Sequence, residues 1–333
     1  MLRRFWAVLA GLFARLRDWL RKQSGRPRGS WIEGSAEAPG ARLAFAPWAG
    51  GLRPYRLYLP PGLDAATTAP LWVWLHGCRQ TPYSFATGSR VALAADEAGA
   101  VVLLPRQLRR ANPFRCWNWF DRDTQQGRGE AAIVLAMIEA VAGSHRIDRE
   151  RVFVAGLSAG AGLACVLASR YPERFAAVAM HSGVSYAAAQ SPLTARAAIA
   201  HGSSLSGEAS AALARLFAQS ALPVPALVLH GEADAAVPPL HLDQVVAHFL
   251  AFNRQGAEAA TESSIEASAG GLAYRVTDWR QQGRLLVRRI LISGLGHAWS
   301  GGEASEEYHA AAGPEATRLI AEFFGEEARR AGA

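Results

Sequence analysis

Residues 151–162 read Arg-Val-Phe-Val-Ala-Gly-Leu-Ser-Ala-Gly-Ala-Gly. Val152 to Ala155 are β-formers in an apolar run, the pattern of a buried strand. Gly156-Leu157-Ser158-Ala159-Gly160 follows as a G-x-S-x-G pattern, and residues 161–171 read as a small-residue helix stopped by Pro172. Strand, tight turn and helix in this order make a nucleophile elbow. Such a turn is strained, and glycines on both sides of Ser158 let neighbouring backbone come close. The serine hydroxyl is then expected at the carboxyl end of a sheet strand, with a helix N-terminus behind it. A chance Gly/Ser/Ala turn is the competing reading in a chain with 32 glycines. The strand and helix on either side favour the elbow.

Outward from the elbow, strands are expected at 54–59, 70–75, 100–104, 175–180, 224–229, 272–279 and 288–292. Helices are expected at 86–98, 129–144, 241–252 and 313–331, with one more near 208–219 in an Ala/Ser-rich stretch. Strands alternating with helices predict an α/β fold, a mostly parallel central sheet with helices on both faces. A length of 333 residues suits one large domain or two smaller ones. No composition break divides residues 31–333, so they read as a single catalytic domain.

The basic balance belongs to one end. Residues 1–30 hold Arg3, Arg4, Arg15, Arg17, Arg21, Lys22, Arg26 and Arg28 against Asp18 alone, while residues 31–333 carry equal numbers of acids and bases. The main domain therefore lacks the electrostatic footprint of a nucleic-acid binder. In the basic segment, Phe5, Leu9, Leu12, Phe13, Leu16, Trp19 and Leu20 recur at helical spacing. Residues 3–22 thus read as an interfacial amphipathic helix for a membrane or polymer-granule surface. A signal peptide and a helix packed on the domain are the alternatives. Residues 23–40, rich in Gly, Pro and Ser, read as a linker.

A serine nucleophile needs a base to take its proton and a carboxylate to orient that base. After an elbow of this type they follow in the order Asp or Glu, then His, each on a loop after a strand. His230-Gly231-Glu232-Ala233-Asp234 follows the strand at 224–229, and Gly294-Leu295-Gly296-His297 follows the strand at 288–292. Asp234 and His297 are the expected pair, with Glu232 and Asp243 as rival acids and His230 and His181 as rival histidines. The oxyanion hole needs backbone N–H groups. Ala159 is expected to supply one, and Cys78, with Arg79 as the alternative, the other from the loop after the strand at 70–75. His76 is expected to shape that loop rather than do chemistry. Neither Cys-x-x-Cys nor His-Glu-x-x-His spacing occurs, so no metal site is expected.

Several segments together resemble the polyhydroxybutyrate depolymerase family of esterases, relatives of feruloyl and acetylxylan esterases. They are Leu75-His76-Gly77-Cys78-Arg79-Gln80, Cys116-Trp117-Asn118-Trp119-Phe120, Gly156 to Gly160, His181-Ser182-Gly183, and Gly296-His297-Ala298-Trp299-Ser300-Gly301-Gly302. The resemblance covers roughly residues 50–325. It implies an α/β-hydrolase fold, a Ser158-Asp234-His297 triad, no cofactor and no large lid. It implies an ester substrate, short hydroxyalkanoate oligomers ranking before feruloyl or acetyl esters of plant polysaccharide. Arg79 departs from the family, which often has a small polar residue there, and no C-terminal polymer-binding module is apparent. The resemblance also implies a Cys78–Cys116 disulfide, two free thiols being the alternative, and so an extracellular or periplasmic setting. An intracellular, surface-associated setting stays open because no clean signal peptide appears. Cys165 reads as a buried small hydrophobe. Trp117, Trp119 and Trp299 are candidate substrate contacts, with ordinary core as the alternative. A non-catalytic binding protein that keeps the hydrolase shell is the competing function. It requires that Ser158, Asp234 and His297 fail to converge.

Overall fold

The computed structural model describes residues 27–331 apart from positions 45, 65 and 257. The expectations for residues 3–22 therefore lie outside the described residues. Among the described residues, ten strands form one sheet: β1 (Ser30–Glu37), β2 (Leu52–Leu59), β3 (Ala69–Leu75), β4 (Val101–Pro105), β5 (Ile147–Leu157), β6 (Ala177–His181), β7 (Ala226–Gly231), β8 (Thr261–Ala269), β9 (Leu272–Gln281) and β10 (Arg284–Ile292). Their order is β1-β2-β4-β3-β5-β6-β7-β10-β9-β8. The six central strands, β4 to β10 in that order, run parallel, and the two outer pairs run antiparallel. The chain leaves β3 for β4 on one side and then crosses to β5 on the other. This is a topological switch point, where the carboxyl ends of neighbouring strands leave a crevice.

Alternate residues of the central strands face opposite layers, as a period of two requires. Leu71, Val73, Val152, Val154, Val178 and Val228 pack with helices Gly129–Ser144, Ala159–Arg170 and Leu240–Asn253. Trp72, Trp74, Phe153, Ala155, Leu227 and Leu229 pack with helices Val91–Ala98 and Ala316–Ala331. The sheet is buried on both faces, which is why its inner strands read as continuous apolar runs.

The structure departs from the sequence reading in four places. Residues 30–37, expected as linker, are edge strand β1, paired along its length with β2. Its Trp31 ring lies 4.8 Å from Tyr58, and the Arg56 guanidinium sits 3.9 Å above Trp31. Strand β8 at the opposite edge was not expected; it is almost wholly exposed and pairs with β9 alone. The expected helix at 86–98 is two helices, Pro82–Ser89 and Val91–Ala98, divided at Arg90 with φ 56°. There Trp74 Nε1 donates to Ser89 Oγ at 3.2 Å and the Thr317 hydroxyl donates to the Ser89 carbonyl, so tertiary partners engage both the side chain and the carbonyl of the residue before the break. Lastly, helix Pro192–His201 was not expected, although Ser191 caps it in a capping box with Thr194.

Candidate active site

Ser158 ends β5 with φ 56° and ψ −119°, an uncommon conformation for a residue with a Cβ. Its N–H donates to the His181 carbonyl at 2.9 Å, which ties the turn to β6. A Cβ on Gly156 would collide with the Gly160 backbone, and one on Gly160 with the carbonyls of Leu75 and His76. Both glycines of the motif are thus set by close approach. Between Val152 and Arg170, Ser158 alone is not buried. The fold carries one hydroxyl to the surface on an otherwise buried strand–helix unit.

Asp234 and His297 meet on neighbouring loops. His297 Nδ1 lies 2.7 Å from Asp234 Oδ2, with the carboxylate side chain fully buried and the imidazole 14% exposed. Asp234 Oδ1 accepts from the N–H groups of Ala236 at 3.0 Å and Val237 at 2.8 Å. Burial pushes the Asp234 carboxyl up, but the hydrogen bond and charge of His297, then the Val237 N–H, outweigh it and hold the group below its ordinary value. The two loops are joined by Glu232 N–H to the Ile292 carbonyl and Ala233 N–H to the Leu295 carbonyl, both at 2.9 Å. Gly231 makes this possible, since a Cβ there would strike the carbonyls of Leu295 and Gly296.

The rivals fall away on geometry. Glu232 is exposed, and Asp243 is 69% exposed and paired with Arg289. His230 is buried and its Nε2 donates to the Val237 carbonyl at 2.8 Å; burial lowers its basicity. His181 is fully buried, stacked on Trp299 and held at about 3 by burial and then by the charges of His230 and His297. His181 thus supports the elbow through its carbonyl, which accepts from the Ser158 N–H.

The other wall is the loop after β3. Cys78 and Cys116 form a disulfide with Cα atoms 4.1 Å apart. The Arg79 N–H already donates to the Phe114 carbonyl at 2.6 Å, whereas no such bond engages the Cys78 N–H among the described residues. Gly77 N–H donates to Gln80 Oε1 at 2.7 Å, and Gln80 Nε2 donates to the Glu307 carbonyl at 2.9 Å. His76 is buried; its Nδ1 donates to the Gly77 carbonyl at 2.7 Å and its Nε2 accepts from Gln107 N–H at 3.2 Å. Burial holds it at about 4, so it is a neutral strut, as expected of it.

Beneath this loop lies a carboxylate that the sequence reading passed over. Glu130 is fully buried and accepts from Asn118 N–H at 2.6 Å, Asn118 Nδ2 at 2.7 Å and Gln107 Nε2. Burial raises it to about 6 against those bonds. Gln107 also donates to the Cys116 carbonyl at 3.0 Å. Its only sequence signal was an acid in the first turn of an apolar helix, which a capping role explains equally well. Tyr308 was also missed. Its ring lies 6.0 Å from His297, edge to face, and the side chains of Glu307 and Arg79 act on its hydroxyl.

The tryptophan expectation needs correction. Trp117 and Trp299 are 0% exposed and Trp119 is 4% exposed, so none offers a surface to a substrate. Trp299 packs edge-on against Trp74 and Phe85 and donates through Nε1 to Thr317 at 3.0 Å. Trp117 lies beside His76, and Trp119 covers Gly162. A large aromatic next to a site in sequence also supplies the area that buries the site's framework. Cys165 is buried, its thiol pushed up to about 12 by burial.

Parallel sheet, elbow and the Asp234–His297 pair define an α/β-hydrolase. The family model described as "Esterase PHB depolymerase" matches residues 53–268, and the chain belongs to that family. Poly(3-hydroxyalkanoate) depolymerase C of Paucimonas lemoignei is 33% identical over 243 residues, 72% of this chain and 57% of that protein. The chain thus spans little more than half the length of that relative. Probable acetylxylan esterase A of Aspergillus clavatus is 27% identical over 252 residues, 72% of this chain and 78% of that protein. The solved acetyl xylan esterase from Aspergillus awamori shares the fold with a TM-score of 0.65 at 21% identity, over 81% of this chain and 94% of that chain.

Proposed function

We propose that the chain is a serine carboxylester hydrolase working through an acyl-enzyme on oligomeric or polymeric 3-hydroxyalkanoate-type esters. The observation that carries this is the 2.7 Å Asp234–His297 pair at the sheet end that also presents Ser158 on a strained elbow. His297 Nε2 takes the Ser158 proton as Oγ attacks the ester carbonyl. The N–H groups of Ala159 and Cys78 hold the oxyanion, and Asp234 keeps the imidazole oriented. The imidazolium then protonates the departing alcohol, and water repeats the cycle on the acyl-enzyme. No cofactor enters this chemistry.

The named relatives support the substrate order: hydroxyalkanoate esters first, acetyl or feruloyl esters of polysaccharide second. Short p-nitrophenyl esters test the class, because wild type and Ser158→Ala turning over at equal rates would refute it. A panel of 3-hydroxybutyrate oligomers against methyl ferulate and acetylated xylan tests the order.

Residues 3–22 are proposed as a surface anchor and residues 31–333 as the catalytic domain, on the charge split between them. Deleting residues 1–30 is expected to spare hydrolysis of soluble esters and to abolish salt-sensitive binding to anionic vesicles or granules. Equal binding by the truncated protein would refute the anchor. The charge neutrality of residues 31–333 supports a domain without a nucleic-acid partner.

A further inference from the structure

We propose that Glu130 is a positioning residue for the reaction: as an ionised carboxylate it clasps both ends of the loop 107–118 and so fixes the Cys78 N–H. On this account kcat follows the charge on Glu130. The inference rests on the hydrolase reading above, with Cys78 as an oxyanion donor, and adds to it a buried residue outside the triad.

Glu130 stands in the first turn of helix Gly129–Ser144 and is 0% exposed. Its Oε1 accepts from Asn118 Nδ2 at 2.7 Å and from Gln107 Nε2, and its Oε2 accepts from Asn118 N–H at 2.6 Å. One carboxylate thus holds residue 107 at the start of the loop and residue 118 at its end. Between them the loop grips the oxyanion segment at three points. Gln107 N–H donates to His76 Nε2 at 3.2 Å, the Phe114 carbonyl accepts from Arg79 N–H at 2.6 Å, and Cys116 is bonded to Cys78. Residues 76 and 77 lie in turn against the elbow. A Cβ on Gly160 would come within 2.6 Å of the His76 carbonyl, and one on Gly77 within 3.5 Å of the Leu157 carbonyl. A shift of the clasped loop therefore reaches the residues beside Ser158 through packed backbone and a covalent bond.

The donor pattern calls for the charge. Gln107 Nε2 also donates to the Cys116 carbonyl at 3.0 Å, while its Oε1 accepts from Leu108 N–H at 3.0 Å. Asn118 Oδ1 accepts from Asn112 Nδ2 at 2.9 Å. Neither amide can turn over without losing bonds on both sides, so three N–H donors face the carboxylate. An ionised carboxylate takes all three. A protonated one carries an O–H for which these partners supply no acceptor. Arg53, buried on β2, is the charge that faces Glu130. His76, beyond Gln107, is neutral, and Asp121 is engaged by the N–H groups of Ala44, Asp123 and Thr124. Burial raises Glu130 to about 6, so its charge is present near neutrality and lost in mild acid.

Steady-state hydrolysis of a short p-nitrophenyl ester between about pH 5 and 8 tests this, read as the ratio of wild-type to Glu130→Gln kcat. At the alkaline end the ratio is expected to be about 30, somewhat less than a lost oxyanion donor gives, with KM within about twofold. It is expected to shrink several-fold as pH falls through about 6, where wild type loses the charge as well. The contribution of His297 is common to both proteins and cancels. A merely structural Glu130 leaves the ratio the same at every pH where both proteins are folded. If Glu130→Gln does not fold, Gln107→Met removes one bond of the clasp and the tie to Cys116. It is expected to lower kcat about tenfold with KM unchanged, and full activity in it overturns the proposal. The Cys78 amide resonance of labelled protein reads the same link without turnover. It is expected to titrate near 6 in wild type and not in the variant. In an active enzyme the ratio decides: a ratio independent of pH, or a loss confined to KM, overturns the proposal. In an enzyme inactive on every ester tested, the amide decides. A Cys78 amide that titrates with Glu130 then refutes the hydrolase reading and leaves the positioning standing, and a silent one overturns both.

Discussion

The two walls of the site are built differently. On the wall proposed for acid–base work, Asp234 and His297 stand on loops joined by backbone hydrogen bonds, with Gly231 admitting the contact. On the wall proposed to hold the oxyanion, a single backbone bond, Arg79 N–H to the Phe114 carbonyl, reaches the loop after β4. A disulfide, a neutral His76, the Gln80 side chain and the buried Glu130 hold it from behind. The first wall owes its geometry to the sheet. The second depends mainly on side chains, and it is the wall that reduction or pH is expected to loosen.

The acid–base wall is expected to fail in function and not in fold. His297→Ala and Asp234→Asn should each lower kcat by about 10⁴-fold, and the double variant little further, because the groups act as a unit. Steady-state rates on a short ester, with circular dichroism to confirm folding, check this. Two independent, multiplying losses would break the pairing.

Reduction acts on the other wall. Opening the Cys78–Cys116 bridge, which spans 38 residues, is expected to cut kcat about 100-fold where the protein is still folded, the scale of one lost oxyanion donor. Global stability also falls, by about 3–4 kcal/mol from the freed chain. Reduced, folded protein with full activity would move the donor away from Cys78.

Glu130 sharpens the contrast through pH. It titrates near about 6 in the fold against an ordinary 4.5, because burial disfavours its charge. Between those values the native state holds a proton that the unfolded chain has released, so stability falls as pH rises through the window. The drop amounts to about 2 kcal/mol at about 1.4 kcal/mol per unit. Glu130→Gln should abolish that pH-dependent fall, as denaturant unfolding at pH 4.5 and 6.5 would reveal. Parallel curves for the two proteins would show the network to be indifferent to this proton.

The smallest effect is expected at Gln80. Gln80→Ala leaves the Gly77 N–H without its acceptor and releases the Glu307 carbonyl. A loss of about tenfold in kcat with little change in KM is expected, from a slightly misplaced oxyanion loop. A change confined to KM would assign Gln80 to ground-state substrate binding.

Much of this architecture was legible in the chain. The elbow reads directly because its glycines answer to local collisions, and the inner strands read because burial on both faces demands apolar runs. The loop order Ser158, Asp234, His297 follows from strand ends that periodicity locates. The elements missed most plainly are β1 and β8, the two edges of the sheet. An edge strand buries too little on either face to leave a period of two, so its identity comes from the partner it pairs with.

The same division runs through the site. Sequence by itself determined which residue types end which strands, because those depend on local periodicity and turn chemistry. Tertiary structure alone decided that Trp117, Trp119 and Trp299 face inward and that Glu130 sits beneath the disulfide. Burial, pairing and charge balance are properties of neighbours distant in the chain, and no local pattern encodes them.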